Sequence, residues 1–508
     1  MVSDPAPVAQ RLSSRSPRFA WLAWLAILGL PFLLAVVLFG AIDHDPARGV
    51  TFSNSPFSDE AWRALNARNF VLFGSWTTDD WAIHLVQGPL TLVQAAVFSV
   101  VGVGLVQARL ISVAATVIMA TILAVGLRRP LGLAGALAAA AGAGFSALTL
   151  YYGRLALLEP AVAVALSGAA IAAIRADKTT IRRWAIVCGI SVALAVALKA
   201  NALPSAIGIL LAVAILSTRE VELRRFVAIT MTTVVIAGLG WVIAVAIPQG
   251  AALGDAISLL PTAAIPTGVG EWLQNVSRFI RSNDGVTELA FPLLVGAGVG
   301  LLLVAIDRGR IGLTWSAPMS GPGRVALVGV LWAGFGFLSL ASFEYQPNRY
   351  VVPVLPGLAL IVGSGVAVIA RRIAERGRLA QVAIAVAVLA FLCGPGLVAD
   401  AAWGARTGPG ALAGQDAVER ILPDGIRVAG GYAPLFAMRV PVTTIVQFPG
   451  TSVNADDLYA SGVRWAFVED GPPPAWVAGH QPAWEARVER WCAEWGRNAV
   501  SVCLVELP

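Results

Sequence analysis

Two adjacent carboxylates, Asp59 and Glu60, stand just beyond the first long apolar run of this 508-residue chain. Further on, Asp79, Asp80, His84, Arg109, Arg154, Glu159, Lys199, Glu344 and Arg349 fall inside or at the ends of other apolar segments. An ionisable group so close to hydrocarbon is costly, which makes each of them a functional candidate. A carboxylate beside an incoming hydroxyl takes its proton as the new bond forms. Guanidinium and ammonium groups stabilise a departing phosphate. Transfer of a sugar from a phosphate-linked lipid needs both.

Each of these residues also has a purely structural reading. Asp59 and Glu60 follow Ser58 and open a helix whose Trp62, Leu65, Leu72 and Phe73 share an apolar face. There they complement the helix dipole, and Asp59 pairs with Arg63 four residues on. Arg154 and Glu159, five apart, form an ion pair where a loop enters a span. Lys199 snorkels to the membrane interface. Arg349 caps its loop against Glu344. As phosphate ligands instead, Arg109, Lys199 and Arg349 would all reach one headgroup depth.

The elements that must position these groups are membrane spans. Hydrophobic residues make up 57% of the chain and charged residues 13%, against roughly 25% charged in soluble domains. The net charge of +6 therefore points to the loops of a membrane protein rather than to nucleic acid. Crossing about 30 Å of hydrocarbon takes roughly 20 apolar residues. Eleven runs are predicted to cross, near 19–42, 107–127, 131–150, 155–174, 184–199, 201–217, 226–248, 289–306, 325–342, 350–370 and 379–398. The run Pro89–Leu105 is a twelfth by hydropathy. If it crossed, Arg128-Arg129, Arg182-Arg183, Arg224-Arg225 and Arg371-Arg372 would all face outward, against the positive-inside rule. It is read as a helix at the outer interface, within one long outer loop, 43–106.

The first run has no clear small-residue cleavage site and reads as a retained span with a cytoplasmic N-terminus. Residues 1–398 form a transmembrane domain, and its second long outer loop, 249–288, is read as a lid. From Asp400 on, charges return at ordinary density with turn signals such as Pro423-Asp424-Gly425. Strands are predicted near 426–429, 440–447, 463–468 and 500–504, and helices near 412–421 and 483–495. Residues 399–508 are thus read as a small α/β domain, which the parity of eleven crossings puts outside. Cys492 and Cys503 flank a turn and are read as a disulfide across a helix-to-strand hairpin, or as two buried thiols. Cys188 and Cys393 are apolar fillers within spans.

No fixed-period repeat, phosphate-cradling glycine loop or metal-spaced His/Cys cluster is present, so no cofactor is implied. Three histidines are too few for a His-rich metal centre and leave room only for a divalent cation on a His-carboxylate site.

The pattern resembles the polytopic GT-C glycosyltransferases of the family 39 and 83 type, which include protein O-mannosyltransferases and lipid A aminoarabinose transferases. The resemblance rests on Ser58-Asp59-Glu60 with the helix after it, on Gly88-Pro89-Leu90, and on Arg109-Leu110 at the next span. It continues with Arg154 to Glu159, Lys199 ending a Gly/Ala/Leu-rich span, and Arg349-Tyr350-Val351-Val352-Pro353-Val354-Leu355-Pro356. It covers residues 15–370. It implies a mainly α, GT-C-like fold in the plasma membrane and a polyprenyl-phosphate sugar donor used with inversion. The acceptor would be a hydroxyl on a cell-envelope glycan, lipid or protein, and membrane lipids would be the other partners. Asp59 would be the catalytic carboxylate, with Glu60 its neighbour and Glu159 a second acid. His84, Arg109, Arg154, Lys199, Arg349 and Tyr350 would bind substrate. Where family members offer a basic residue for the phosphate, this chain has Asp79-Asp80-Trp81-Ala82-Ile83-His84, so His84 becomes the substitute. The alternative is a multi-span transporter or lipid flippase, whose polar groups would cluster at mid-membrane with repeat symmetry.

Overall fold

A computed structural model describes residues 20–46, 57–77, 81–177, 179–216, 220–258, 266, 268–282, 284–310, 321–374, 378–405, 407–447, 458–469, 471, 473–495 and 500–508. Apolar composition dominates local structure, because a backbone in lipid must satisfy its own hydrogen bonds and only helices do so segment by segment. In chain order the helices are α1 (Ala20–Phe39), α2 (Asp59–Phe73), α3 (Gly88–Val101), α4 (Leu105–Gly144), α5 (Ala147–Tyr152) and α6 (Glu159–Arg175). Next come α7 (Ile181–Leu198), α8 (Leu203–Leu216), α9 (Glu220–Trp241), α10 (Gly250–Ser258), α11 (Val269–Ser282) and α12 (Asp284–Arg310). The helical part closes with α13 (Gly321–Ser342), α14 (Leu355–Ile373) and α15 (Arg378–Gly404).

Among the described residues, eight helices are long and apolar enough to cross a membrane. One of them, α4, has 40 residues, about 60 Å and so two hydrocarbon thicknesses. It breaks where Pro130 removes a backbone donor and Gly132 takes φ 73°. The two parts overlap the runs expected at 107–127 and 131–150, the second of which continues past the break at Phe145 and Ser146 into α5. The runs expected at 155–174 and 201–217 fall on α6, with 17 residues, and α8, with 14. Helix α3 has 14 residues, about 21 Å, the same length as α8 and short of the roughly 30 Å of hydrocarbon.

Small residues let these helices close on one another. Helix α14, with the turn that leads into it, is the most enclosed of the eight membrane-length helices. It meets α4 at Gly135 and Gly363, where a Cβ on either would lie 2.6 or 2.5 Å from the other's carbonyl oxygen. That crossing fixes the start of α14, and with it the 3₁₀ turn Asn348–Val354 that carries Arg349.

The second long outer loop, expected as a lid, holds α10, α11 and the start of α12, while residues 259–265, 267 and 283 lie outside the described residues. Helix α11 is fastened to the end of α13. Trp272 Nε1 donates to Ser342 Oγ at 2.9 Å, and Gln346 Nε2 donates to Asn275 O at 3.1 Å.

After α15 the chain forms α16 (Gly410–Glu419), β1 (Arg427–Ala429), α17 (Ala433–Phe436), β2 (Thr443–Ile445), β3 (Trp465–Glu469), α18 (Gln481–Glu485), β4 (Val488–Trp495) and β5 (Val500–Glu506). The sheet order is β2-β1-β3-β5-β4. Strand β1 is parallel to β2 and β3, and β5 is antiparallel to β3 and β4. The helix expected over 483–495 is corrected: only Gln481–Glu485 is helical, and Val488–Trp495 is a strand. Pairing with β5 overrides its local preference and packs Trp491 against Phe436 and Phe467. Cys492 is directly opposite Cys503 in that ladder, and the two are joined by a disulfide between two strands. The turn expected at Gly496–Asn498 lies outside the described residues.

Arg68 ties this sheet region to α2. Arg68, fully buried, donates from Nε to Met438 O at 2.8 Å and from Nη2 to the carbonyls of Ala437, Val440 and Val442 at 3.1, 2.5 and 2.9 Å. Its Nη1 donates to Asn69 Oδ1 at 2.8 Å. Arg68→Met is expected to cost about 3 kcal/mol or more, because four buried carbonyls lose the guanidinium together, although Ala437 O and Val440 O each retain a backbone N–H, from Val440 and Val442. It should also make residues 430–508 the first segment cut in limited proteolysis. A wild-type melting temperature and digestion pattern would contradict this.

Candidate active site

Helix α2 carries adjacent carboxylates, and consecutive helical positions point about 100° apart. Asp59 and Glu60 therefore face different surroundings. Glu60 is 1% exposed and is held by Arg109 through a two-pronged contact, Nε to Oε1 at 2.8 Å and Nη2 to Oε2 at 2.7 Å. Oε1 also accepts the Ala156 backbone N–H at 2.8 Å. Arg109 Nη1 donates to Ile42 O and His44 O, which uses up its remaining direction. The pair thus joins the end of α1, α2, α4 and the segment before α6. Glu60 and Arg109, expected as a catalytic neighbour and a phosphate ligand, are turned on each other and positioned to hold the site together.

Asp59 faces the opposite way, with Oδ2 at 2.7 Å from Arg349 Nη2. Neither Arg63 nor Glu344 takes the partner that sequence spacing suggested, since Glu344 pairs with Arg278 at 3.5 Å. Arg349 Nε lies 3.6 Å from Glu159 Oε1, and Lys199 Nζ donates to that same oxygen at 2.5 Å. Lys199 also sits 3.5 Å from the centroid of the Tyr350 ring. The Tyr345 hydroxyl accepts from Arg349 Nη2 at 3.2 Å, and Phe57 flanks the guanidinium at 5.6 Å. Two acids and two cations converge here from α2, α6, the end of α7 and the turn before α14. Side-chain exposure falls from 21% at Asp59 to 2% at Glu159, so Asp59 is the acid nearer solvent.

Arg154 does not join this cluster or pair with Glu159. Its Nη1 donates to Asp400 Oδ1 at 2.5 Å, a contact between the start of the α6 segment and the end of α15. His84 is also elsewhere: it stacks on Trp76 at 5.6 Å, and its backbone N–H donates to Asn66 Oδ1. Burial lowers the His84 pKa to about 4, so the ring is neutral at pH 7 and supplies no charge to a phosphate. Asp79 and Asp80 lie outside the described residues.

Sequence reasoning missed Asp45, Arg68, Tyr345 and Asp400. Asp45 accepts the Ala411 N–H at 3.0 and 3.2 Å on its two oxygens and donates its own N–H to Gly408 O at 3.0 Å, tying the first loop to the start of α16. Burial pushes its carboxyl up to about 7, against the pull of Arg109.

No protein-family model matches the chain. No curated protein matches it by sequence. In structure it is similar to ArnT from Cupriavidus metallidurans bound to undecaprenyl phosphate, with TM-score 0.62, 17% identity, and coverage of 96% of this chain and 98% of that chain. It is similar as well to the same protein in the apo state, with TM-score 0.63, 15% identity and the same coverage. The likeness spans nearly the whole of both chains and shows the fold: mainly α, with helices of membrane-crossing length and a small C-terminal sheet region.

Glu60→Gln is expected to destabilise the protein by about 3–5 kcal/mol, because it strands the buried Arg109 charge. Urea or thermal unfolding in detergent would show it, and a change below about 1 kcal/mol would mean that the pair is not the anchor described. Asp45 supplies a pH signature. Its folded pKa is raised above the ordinary 3.8, so its contribution to stability is fully present below about 4 and is lost as pH rises through about 7. The difference between wild-type and Asp45→Asn melting temperatures should drift by several degrees across that window, and parallel curves would contradict it.

Proposed function

We propose that the protein is a membrane glycosyltransferase that moves a sugar from a polyprenyl-phosphate donor to a hydroxyl acceptor, with inversion, on the extracytoplasmic side. The observation that carries this reading is the Asp59–Arg349–Glu159–Lys199 cluster: a partly exposed carboxylate beside two cations that a deeper carboxylate holds in place. The fold shared with an aminoarabinose transferase seen with undecaprenyl phosphate supports a lipid-phosphate donor. The four groups lie at helix ends rather than at mid-span, which argues against a transporter site.

The cluster is balanced in formal charge, so an arriving phosphate competes with Asp59 and Glu159 for the cations. Arg349, at the junction of the two acids, turns its fork to the phosphate and frees Asp59. The acceptor oxygen then attacks the anomeric carbon from the face opposite the phosphate. The carbon–oxygen bond to phosphate breaks, its electron pair leaves with the polyprenyl phosphate, and the acceptor proton passes to Asp59. Lys199 and Arg349 stabilise the leaving group. Glu159 acts as the organiser of the cations, and Tyr350 lines Lys199. The basic residues gathered in alternate loops support a cytoplasmic N-terminus, with the cluster on the outer side.

Asp59→Asn is expected to lower transfer from a radiolabelled polyprenyl-phosphate sugar by about 10²–10⁴-fold while binding of undecaprenyl phosphate is retained or tightened, since a competitor for Arg349 is removed. Lys199→Met should weaken that binding tenfold or more. Turnover by Asp59→Asn equal to wild type would remove the assignment, and sugar uptake into vesicles without transfer would favour the transporter.

A further inference from the structure

We propose that the carboxyl edge of β1 and β3 is an acceptor subsite for a neutral, hydroxyl-rich glycan. The proposal rests on the reading of the chain as a glycosyltransferase and extends it to the second substrate.

The first observation is topological. Strand β1 has parallel neighbours on both sides, β2 and β3, so strand order reverses at β1. Open α/β sheets bind ligands in the crevice beyond the carboxyl ends of strands at such a reversal. Here β1 turns away at Gly430, whose φ is 123° and where a Cβ would lie 2.3 Å from Phe467 O. Only glycine allows the chain to leave β1 that close to β3. Tyr432 lies at the turn after β1 and Glu469 ends β3, and the Tyr432 hydroxyl donates to Glu469 Oε1.

The second observation is chemical. Trp62 Nε1 donates to Gly431 O at 2.7 Å, which sets the Trp62 ring at this edge. Trp81 packs edge-on to Trp62 at 5.9 Å and donates to Trp62 O. Trp62, Trp81 and Tyr432 are all half-buried, and Glu469 is exposed. Half-buried aromatic rings offer flat apolar faces with polar rims, the complement of a sugar ring's C–H face and its hydroxyls. A carboxylate offers about four acceptor positions, of which Tyr432 takes one. Glu469 forms no ion pair among the described residues, so the edge carries negative charge and suits a neutral glycan over a phosphorylated one.

The third observation is position. Trp62 is three residues from Asp59 on α2, about 4.5 Å along the helix axis. A glycan lying on Trp62 and Tyr432 is thereby within reach of the proposed base, and the sheet region becomes part of the acceptor path.

Two neutral probes, maltohexaose and mannohexaose, and phosphorylated maltohexaose are titrated against the full chain in detergent. The expected result is saturable binding of at least one neutral hexasaccharide, weakened tenfold or more by Tyr432→Ala and by Glu469→Gln. Undecaprenyl phosphate binding should stay within twofold in both variants. Failure of both neutral probes to bind, wild-type affinity in Glu469→Gln, or equal binding of the phosphorylated probe would overturn the subsite. Asp59→Asn separates the two claims, since it should bind hexasaccharide normally yet not turn over. If it retains turnover, the catalytic reading fails while the binding data still decide the subsite.

Discussion

The site depends on one buried ion pair. Glu60 and Arg109, each 1% exposed, are worth keeping only if both are fully satisfied, because a lone charge at that depth costs several kcal/mol. Their contact, together with the Ala156 N–H and the carbonyls of Ile42 and His44, leaves α2 one way to sit against α1, α4 and the entry to α6. Because the chain direction and rotation of α2 are then fixed, Asp59 is aimed at Arg349 and Trp62 at the sheet region. Arg68 secures the other end of the helix. The adjacent acids divide the work: one is consumed by structure so that the other can be left partly open.

Much of the membrane architecture was legible because hydrocarbon imposes a length and composition that survive without tertiary detail. The expected runs overlap helices, while α3 and α8 have the same 14 residues, so length alone does not separate the segment read as interfacial from one read as a span. The pairing of charges was much less legible. Spacing along one helix suggested Asp59 with Arg63 and Arg154 with Glu159, yet the partners are Arg349 and Asp400, hundreds of residues away in sequence. Nothing local encodes which helix end meets which. His84 was misread for a related reason: its type suggested a cation, while burial keeps the ring neutral.

In the sheet region the error was one of period. Residues 483–495 carry Trp, Glu, Ala and Arg, a composition compatible with helix, and only the facing strand with Cys503 decides otherwise. A disulfide between directly opposed residues requires two strands in register, so the cysteine pair was the more informative signal. Arg68 lay inside the helix that drew attention through Asp59, but a guanidinium whose partners are four backbone carbonyls has no charged residue to betray it.

Helix ends explain how so polar a cluster is built beside lipid. Glu159 lies in the first turn of α6 and Asp59 in the first turn of α2, where a negative charge meets the positive end of the helix dipole. Lys199 follows the last turn of α7, where a positive charge is favoured in turn. Arg349 is the exception. It precedes the N-terminus of α14, where the dipole opposes a cation, so the charges that hold it are those of Asp59 and Glu159. Of the two cations it is therefore the one with least holding it apart from the carboxylates, and the one an incoming phosphate can most readily draw away from Asp59.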